Sequence, residues 1–350
     1  MEMSETSLNG TLVVGPAWVG DMVMAQSLFK HLRDRWPDRD IDVLAPAATV
    51  QLVSRMPEVS MGILLKQEHG QLGLGYRKRL GNSLRGKRYR QAIVLPNSLK
   101  SALVPFFADI PERTGFRGEY RYALLNDMRM LDENRLPKMV ERFLALGVGV
   151  NDPLPPIQYP ALMTDETNLA DVVGRLRLDL SRPVLGLCPG AEFGDAKRWP
   201  ERHYAALALY AIRKGMNVWL LGGPKDRVIS GTIASMVKEE NEYGITDLAG
   251  QTSLMDAVDL LGACSLVVSN DSGLMHIAAA VGVPIVVVYG STSPQFTPPL
   301  SDLAMIVSEK LECSPCFKRT CPLGHKNCLN QLVPGRIEPV VDRYCGGATL

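Results

Sequence analysis

Residues 266–276 read Leu-Val-Val-Ser-Asn-Asp-Ser-Gly-Leu-Met-His, a short apolar run that gives way at once to a helical pattern. The run predicts a β-strand that leads directly into the N-terminus of a helix. The first turn of a helix has unpaired N–H groups and a positive dipole end, so this junction suits a phosphate or diphosphate. The candidate ligands are Asp271, Ser272, Gly273 and His276. The alternative is that Asp271 or Ser272 only caps the helix.

Short strands alternate with helices along the whole chain. In the first half we predict strands over 11–15, 41–44, 92–95 and 113–116, and helices over 22–35, 49–56 and 99–108. In the second half we predict strands over 184–188, 218–221, 247–248, 266–269 and 285–289, and helices over 201–214, 229–240, 254–263 and 274–281. This alternation predicts parallel βαβ units and therefore an α/β fold.

The length and one change of composition predict two domains. At 350 residues the chain is long for a single core. Residues 150–181 contain Asp-Pro-Leu-Pro-Pro and lie between the two series of strands, so we interpret them as the connection. The predicted domains are 1–165 and 166–350, the second with a cysteine-rich tail at 313–328. Two doubly wound parallel sheets would face a cleft and bind ligands at the carboxyl ends of their strands.

Bulk composition excludes several classes of protein. The chain is 46% hydrophobic and 21% charged, as soluble globular enzymes are. A formal net charge of +1 gives no electrostatic reason to expect nucleic acid. We find no apolar segment long enough to span a bilayer, and residues 1–10 are polar and acidic, unlike a signal peptide. The predicted location is the cytoplasm.

Each half begins with a strand that runs into a turn containing glycine and proline, at Gly15-Pro16 and at Pro189-Gly190. Neither turn has the G-x-G-x-x-G pattern of a dinucleotide site, which excludes a nicotinamide dehydrogenase. The first has the glycine spacing of a P-loop, but Asp21 stands where lysine is required and would repel a triphosphate. Asp21 is instead a candidate general base at a helix start, with helix capping as the alternative.

Two further loops carry candidate donor-binding residues. Lys197 precedes Pro200, which fits a first helical turn, and an ammonium there would stabilise a departing diphosphate. An exposed surface lysine is the alternative. Asp226 follows Gly222-Gly223 after a predicted strand and is a candidate for a ribose hydroxyl. A plain turn is the alternative for Asp226.

One segment is strongly basic. No acidic residue occurs from His69 to Ala108, and the cations within it are Arg77, Lys78, Arg79, Arg85, Lys87, Arg88, Arg90 and Lys100. On a nearly neutral protein this predicts an anionic partner such as an acidic sugar, a lipid phosphate or a membrane surface. A solvated basic face is the alternative.

Four of the seven cysteines are clustered, at Cys313, Cys316, Cys321 and Cys328. In a reducing compartment such a cluster is a candidate metal site or a redox-labile clip before it is a disulfide framework. The Cys-x2-Cys spacing suits zinc, but the later spacings match no standard finger. Any metal there would be structural. Cys188 and Cys264 lie in apolar context and are predicted to be buried, inert thiols.

Four motifs together resemble one known family. They are Gly15-Pro16-x-Trp18-Val19-Gly20-Asp21, Pro189-Gly190-Ala191-Glu192-Phe193-Gly194, Lys197-Arg198-Trp199-Pro200 and Asn270-Asp271-Ser272-Gly273-Leu274-Met275-His276. In this order they resemble the bacterial ADP-heptose:lipopolysaccharide heptosyltransferases, glycosyltransferase family 9. Within that family the similarity is greatest to the heptosyltransferase II group, which adds the second inner-core heptose. The resemblance runs in register from residue 12 to residue 300.

The resemblance implies a GT-B fold, with the acceptor on the N-terminal Rossmann-like domain and the nucleotide sugar on the C-terminal one. It implies inverting, metal-independent transfer of heptose from ADP-heptose. Asp21 matches the general base and Lys197 the phosphate-binding lysine, which stabilises the leaving ADP. Asp271, Ser272, Gly273 and His276 match the nucleotide-phosphate loop, and Asp226 is a looser match to an acidic ribose contact.

The implied acceptor is a Kdo- and heptose-bearing lipid A precursor in the inner leaflet of the cytoplasmic membrane. The basic residues Arg77, Lys78, Arg79, Arg85, Lys87 and Arg88 would then face the acceptor or the membrane, and the association would be peripheral. The alternatives are transfer of the first heptose to Kdo2-lipid A, another GT-B sugar-nucleotide enzyme such as an epimerase, and a metal-binding interaction protein built on the cysteines.

Overall fold

The computed structural model describes residues 8–66, 72–241 and 243–346. The chain divides into two compact units, Met1–Pro160 and Ala161–Leu350. The division falls before residue 161 rather than after the predicted 165. Its physical reason is that the Leu162 N–H donates to the Ala280 carbonyl (2.9 Å), which attaches the connecting segment to the second unit.

The first unit contains one six-stranded parallel sheet. Its strands are β1 (Thr11–Val14), β2 (Ile41–Pro46), β3 (Met61–Leu65), β4 (Gln91–Val94), β5 (Glu112–Phe116) and β6 (Asp127–Arg129). Their order is β3-β2-β1-β4-β5-β6, so the chain reverses direction across the sheet between β1 and β4. Every residue of β1 and of β4 is buried, as expected for central parallel strands covered on both faces.

The helices of the first unit are α1 (Val19–Arg35), α2 (Ala47–Val50), α3 (Leu74–Leu84), α4 (Leu103–Phe107) and α5 (Met139–Ala145). Short 3-10 turns at Gln51–Arg55 and Leu99–Ala102 complete the two helical regions predicted over 49–56 and 99–108. The α1 helix starts three residues earlier than predicted, because Trp18 is its N-cap. Asp21 therefore lies inside the first turn.

The second unit repeats this topology. Its strands are β7 (Val184–Cys188), β8 (Asn217–Leu220), β9 (Ile245–Asp247), β10 (Leu266–Asn270), β11 (Ile285–Tyr289) and β12 (Ala304–Ser308). The order is β12-β11-β10-β7-β8-β9, and all neighbours are parallel. Its helices are α6 (Glu166–Leu176), α7 (Glu201–Arg213), α8 (Arg227–Glu240), α9 (Leu254–Gly262), α10 (Gly273–Ala280), α11 (Asn327–Asn330) and α12 (Glu338–Tyr344). The predicted α/β class with two Rossmann-like doubly wound sheets is confirmed.

Strand register brings the functional loops together within each unit. In the first sheet Val14 at the end of β1 pairs with Val94 at the end of β4. In the second sheet Cys188 at the end of β7 pairs with Ser269 of β10. The loops that follow these strands therefore leave each sheet side by side. Among the described residues, the helices include none with the length and apolar character needed to cross a membrane.

Candidate active site

Each sheet has one topological switch point, between β1 and β4 in the first unit and between β7 and β10 in the second. In doubly wound folds ligands bind outside the carboxyl ends of the strands at such points. The loops at these ends are 15–18 and 95–98 in the first unit, and 189–200 and 271–272 in the second. The second-unit loops carry the predicted residues Lys197, Asp271 and Ser272. The predicted residues Asp21, Gly273 and His276 lie in the first turns of the helices that follow such loops.

The central pair of the second unit is Lys197 with Asp271. Lys197 ends a 3-10 turn in the loop after β7, and Asp271 directly follows β10. The Lys197 Nζ lies 2.6 Å from the Asp271 Oδ2, and the two side chains are 14% and 5% exposed. Thr292 Oγ1 donates to the same carboxylate oxygen at 2.6 Å. A freely exposed surface lysine, the alternative for Lys197, is excluded.

Asp271 and Ser272 do not cap α10 with their side chains. Ser272 occupies the N-cap position, but its hydroxyl makes no capping hydrogen bond and lies 3.4 Å from the Ser269 hydroxyl. The Asp271 carboxylate is instead bound to Lys197 and Thr292. The capping alternative is therefore wrong, and Gly273 begins the helix without a side chain over its first N–H groups. This is the arrangement that binds anions at helix N-termini.

His276 is buried one turn into α10, 4% exposed. Burial lowers the pKa of its imidazole to about 4; the nearby Asp271 carboxylate opposes this shift and the Lys197 ammonium adds to it. The imidazole is therefore neutral at pH 7. A neutral ring is a hydrogen-bonding group and adds no positive charge beside Lys197.

Asn270, which was not predicted as a site residue, connects the 189–200 loop and helix α7 to the end of β10. Its Nδ2 donates to the Pro189 carbonyl at 2.7 Å. Its Oδ1 accepts from the Trp199 N–H and from the Tyr204 hydroxyl, both at 3.0 Å. Asn270 is fully buried at the end of β10. The amide therefore holds the 189–200 loop against the strand that delivers Asp271.

Two more residues beside Lys197 were missed. Thr292 follows β11, the strand next to β10, so it lies at the same edge of the sheet as Asp271. Its position after an apolar strand is the signal that identifies it. The Phe193 ring centroid is 5.1 Å from the Lys197 Nζ, a cation–π distance. Aromatic and carboxylate partners thus hold the ammonium from two sides.

The Asp226 side chain forms a hydrogen bond within its own turn. Its Oδ2 accepts the Gly223 N–H at 2.9 Å, which supports the plain-turn alternative. A Cβ placed on Gly190 would overlap the Asp226 carboxylate, so this side chain packs directly on the 189–194 loop. Burial raises the pKa of the Asp226 carboxyl. Asp226 therefore lies at the carboxyl edge of the second sheet and joins its own turn to the 189–194 loop. Its contact with the ribose stays a prediction.

Asp21 lies in the first turn of α1, at the carboxyl edge of the first sheet, and is partly exposed. Asp21 does not hold the N-cap position, the alternative interpretation for it, because Trp18 does. The Trp18 side chain is 55% exposed beside it. A carboxylate and an exposed aromatic ring at the end of β1 suit a sugar hydroxyl.

The neighbouring turn, 95–98, is organised by Arg121, which sequence reasoning missed. This arginine is 1% exposed. It donates to the Pro96 carbonyl at 2.6 Å and to Asn97 Oδ1 at 3.2 Å. Burial lowers the pKa of its guanidinium to about 10, so it stays charged at pH 7. Nothing in the local sequence distinguishes it from the surrounding basic residues.

The basic segment divides into buried and exposed members. Arg77 is 3% exposed and donates to the Leu72 and Lys100 carbonyls, so its assignment to an acceptor or membrane face is wrong. The physical reason is that α3 and α4 pack together and cover it. The remaining predicted residues of this face are exposed: Lys78, Arg79, Arg85, Lys87 and Arg88.

The clustered cysteines line one small cavity of about 20 Å³, together with His325. All four are free thiols. Nevertheless, within residues 8–66, 72–241 and 243–346, no three side chains of the metal-ligating types are placed to share a metal ion. The metal interpretation of the cluster is therefore unsupported. Cys188 and Cys264 are buried, as predicted.

Comparison with known proteins identifies the family. The profile of Glycosyltransferase family 9 (heptosyltransferase) matches residues 77–327. The chain belongs to this family.

Family members of known function cover nearly the whole chain. Lipopolysaccharide heptosyltransferase 2 of Salmonella typhimurium is 48% identical over 332 residues, 93% of this chain and 95% of that protein. The Escherichia coli protein of the same name is 47% identical over the same shares. A solved structure of E. coli ADP-heptose lps heptosyltransferase II superimposes with a TM-score of 0.86 at 44% identity, covering 96% of this chain and 98% of that one.

Membership of family 9 makes the chain a glycosyltransferase with the GT-B fold of the heptosyltransferases. The predicted family and enzyme class are confirmed. A metal-binding interaction protein and an epimerase, the two alternatives from other classes, are thereby set aside.

Proposed function

We propose that this family 9 enzyme is a heptosyltransferase II, which transfers L-glycero-D-manno-heptose from ADP-heptose to the first heptose of the lipopolysaccharide inner core. The two relatives of 47–48% identity, which match over 95% of their own length, are both lipopolysaccharide heptosyltransferase 2. The structural observation that carries the proposal is the Lys197–Asp271 pair, set at the N-terminus of α10 where the second sheet has its switch point.

The second unit is the proposed donor side. The first-turn N–H groups of α10 and the Lys197 ammonium would bind the diphosphate of ADP-heptose. Negative charge grows on that diphosphate as its bond to the sugar C1 breaks, so these contacts strengthen towards the transition state. The Asp271 carboxylate holds the ammonium in place before the donor arrives. His276 would add a neutral hydrogen bond, and Asp226 is proposed as the ribose contact.

The first unit is the proposed acceptor side, with Asp21 as the general base. Its carboxylate would take the proton from an acceptor heptose hydroxyl as that oxygen attacks C1. The new C–O bond forms on the face opposite the leaving ADP, so the configuration inverts, as in an inverting glycosidase with a sugar hydroxyl in place of water. ADP leaves as a stabilised anion and needs no general acid. The chemistry as proposed requires no cofactor.

The acceptor is proposed to be a Kdo- and heptose-bearing lipid A precursor at the inner face of the cytoplasmic membrane. Exposed cations on and after α3 support this, because they present positive charge without burial: Lys78, Arg79, Arg85, Lys87 and Arg88. The enzyme would be cytoplasmic and attach peripherally.

The test is ADP release from ADP-heptose with a one-heptose, Kdo-containing acceptor. Wild-type protein should release ADP only when this acceptor is present. Asp21→Ala and Asp21→Asn should both lose about 10²- to 10⁴-fold in kcat while still binding ADP. Asp38→Ala, which removes an exposed carboxylate of the same unit, is the matched control and should keep wild-type activity.

A second acceptor, without heptose, distinguishes transfer of the second heptose from transfer of the first. Release with the heptose-free Kdo2-lipid A, but not with the one-heptose acceptor, would assign the first heptose transfer instead. Silence with both acceptors would refute heptosyl transfer to the inner core. Full activity of both Asp21 variants would refute the proposed base.

A further inference from the structure

The segment 313–328, the cysteine segment, packs against the loops that carry Lys197 and Thr292, the two residues whose side chains contact the Asp271 carboxylate. The Arg319 carbonyl accepts the Ala196 N–H at 3.1 Å, next to Lys197 in the chain. The Ser291 carbonyl accepts the Phe317 N–H at 2.7 Å, next to Thr292. Backbone hydrogen bonds thus attach this segment to the neighbour of each residue that contacts Asp271.

Side chains strengthen both attachments. Lys326 Nζ pairs with Asp195 Oδ2 at 2.9 Å. Ser314 Oγ donates to the Gly290 carbonyl at 2.6 Å. The Arg319 guanidinium lies 5.4 Å from the Phe193 ring centroid, the same ring that contacts Lys197. A shift of the cysteine segment therefore moves the loops that set the position of Lys197.

The four thiols of this segment lie close to one another. Cys313, Cys316, Cys321 and Cys328 line a cavity of about 20 Å³, roughly the space that one water molecule occupies. All four are reduced and only partly buried. The four thiols therefore border the same cavity, and forming a disulfide between two of them requires the segment to move.

Cys321 differs from the other three in its surroundings. The backbone N–H of Lys326, followed by those of Leu323, Gly324 and His325, favours the thiolate form of Cys321 and lowers its pKa. Cys328 is the opposite case, because burial and the three neighbouring sulfurs raise its pKa. A partly exposed thiol with a lowered pKa, set beside other thiols in one cavity, is the arrangement found at redox-sensitive cysteines.

We propose that Cys321 is an oxidation site, modified by peroxide to a disulfide with one of the three thiols that share its cavity, and that this disulfide weakens binding of the nucleotide donor. The inference rests on the proposed function only in naming the donor as an adenosine diphosphate sugar. Its structural basis is the set of contacts from the cysteine segment to the Lys197 and Thr292 loops.

The chemistry takes two steps. The Cys321 thiolate attacks one oxygen of hydrogen peroxide, so an S–O bond forms, the O–O bond breaks and hydroxide leaves, taking a proton to become water. A second thiol then attacks the sulfenic sulfur, so an S–S bond forms and water leaves. The two thiols lose two electrons and the peroxide gains two. A dithiol reductant reverses the change.

The expected effect follows from geometry. An S–S bond of about 2.05 Å draws two parts of the segment together across the cavity. The attached loops then move, and Lys197 loses its alignment with the anion site. The expected loss is about tenfold in ADP affinity, the order of one charge-assisted hydrogen bond.

The experiment measures the ADP dissociation constant by calorimetry on the full chain, before and after peroxide, with mass-spectrometric disulfide mapping and metal analysis of the same samples. Wild-type protein should gain one disulfide that includes Cys321, bind ADP about tenfold more weakly, and recover with dithiothreitol. Cys321→Ser should bind ADP normally and ignore peroxide. Cys345→Ser, outside the cavity, should respond as wild type does.

A second variant guards against misfolding of the first. The triple variant Cys313→Ser, Cys316→Ser, Cys328→Ser keeps Cys321 but has no partner thiol, so it should stop at a sulfenic acid that dimedone labels. A disulfide without Cys321, a Cys321 disulfide with unchanged ADP affinity, or a stoichiometric metal that shields the thiols would each overturn the proposal. None of these measurements uses an acceptor, so a failed heptosyl-transfer assay is distinguishable from a failure here.

Discussion

The Lys197 ammonium and the Asp271 carboxylate are 2.6 Å apart although 74 residues separate them in the chain. They meet because β7 and β10 are neighbours and end in register. Little water reaches either side chain, so solvent and salt screen this pair less than they screen a surface ion pair. An ammonium held in advance at the anion site needs no reorganisation when the donor's diphosphate develops charge.

Coupling between these two residues is the first prediction. Lys197→Met and Asp271→Asn should each lower the free energy of unfolding by about 1–3 kcal/mol, because each leaves a poorly solvated partner unmatched. The double variant should lose less than the sum of the two, with a coupling of about 0.5–3 kcal/mol. Urea unfolding followed by tryptophan fluorescence measures all four corners of the cycle.

Loss of Lys197 should also lower the turnover number, kcat. Lys197→Met should lower kcat by about 10²- to 10³-fold, as expected when one donor to the developing charge is removed. Lys214→Met removes a lysine whose partner, Asp342, is an exposed carboxylate, and should leave kcat unchanged. Additive stability effects in the cycle would show that the Lys197–Asp271 contact does not form in solution.

The buried imidazole of His276 predicts a pH dependence of stability. Its folded pKa is about 4, below its usual 6.5, so between these values the unfolded chain binds a proton that the folded chain does not. Stability from this residue is complete above pH 6.5 and is lost as the pH falls towards 4. Relative to His276→Gln, wild-type protein should lose about 2 kcal/mol between pH 7 and pH 5.

Urea midpoints at pH 7, 6 and 5 measure this difference, and the subtraction cancels other groups that titrate in both proteins. A constant difference across the range would mean that the pKa of His276 is the same in the folded chain as in the unfolded chain. Because the ring is already neutral at pH 7, raising the pH from 7 to 9 should leave its contribution unchanged.

The contact between Gly190 and Asp226 predicts that alanine substitution is destabilising at Gly190 but not at Gly231. Gly190→Ala places a methyl group onto the Asp226 carboxylate, so the 189–194 loop must shift. We expect a loss of about 1–3 kcal/mol in stability and weaker ADP binding. Gly231→Ala is the matched control, since Gly231 lies inside α8 with no atom within 4 Å of the new methyl group.

The control should gain about 0.5–1 kcal/mol, because alanine favours the helix over glycine. Thermal unfolding and ADP titration of both variants provide the measurement. Equal ADP affinity in Gly190→Ala and wild type would show that the Gly190–Asp226 contact does not shape the donor site.

The central strands of the second unit are the part of the fold that sequence patterns predict best. Both β7 and β11 have the predicted ends, because each is a continuous apolar run buried on both faces. Three strands were not predicted: β3 and β12 have mostly exposed residues, and β6 has only three residues. The sequences of β3 (Met-Gly-Ile-Leu-Leu) and β12 (Ala-Met-Ile-Val-Ser) are short apolar runs without strict alternation, and periodicity alone does not distinguish such runs from helical or loop segments. Helix α3 was not predicted because few of its side chains are buried, so its sequence has no clear apolar face.

Site residues were predictable as positions but not as contacts. Lys197 and Asp271 each follow a strand, which placed both at a carboxyl edge. Their ion pair depends on strand order and register, which one sequence does not reveal. Asn270 appears as an ordinary strand end in the sequence, and only the folded chain shows its amide bonded to Pro189, Trp199 and Tyr204.

The basic segment provides the last prediction, because adjacent cations in it have opposite environments. Arg77 is buried and donates to two backbone carbonyls, at 2.9 Å and 3.1 Å, whereas Lys78 and Arg79 are exposed. Arg77→Met should therefore lower the free energy of unfolding by about 1–3 kcal/mol. Its acceptor KM should change little wherever the protein stays folded.

The double variant Lys78→Met, Arg79→Met should behave in the opposite way. Its stability should stay within about 0.5 kcal/mol of wild type, as usual for surface positions. Its KM for the anionic lipid acceptor should rise, most at low salt, because screening weakens exposed charges in wild type as ionic strength increases. Steady-state assays at two salt concentrations, with donor KM as the internal control, measure the effect. An unchanged acceptor KM at low salt would show that this face is only a solvated surface.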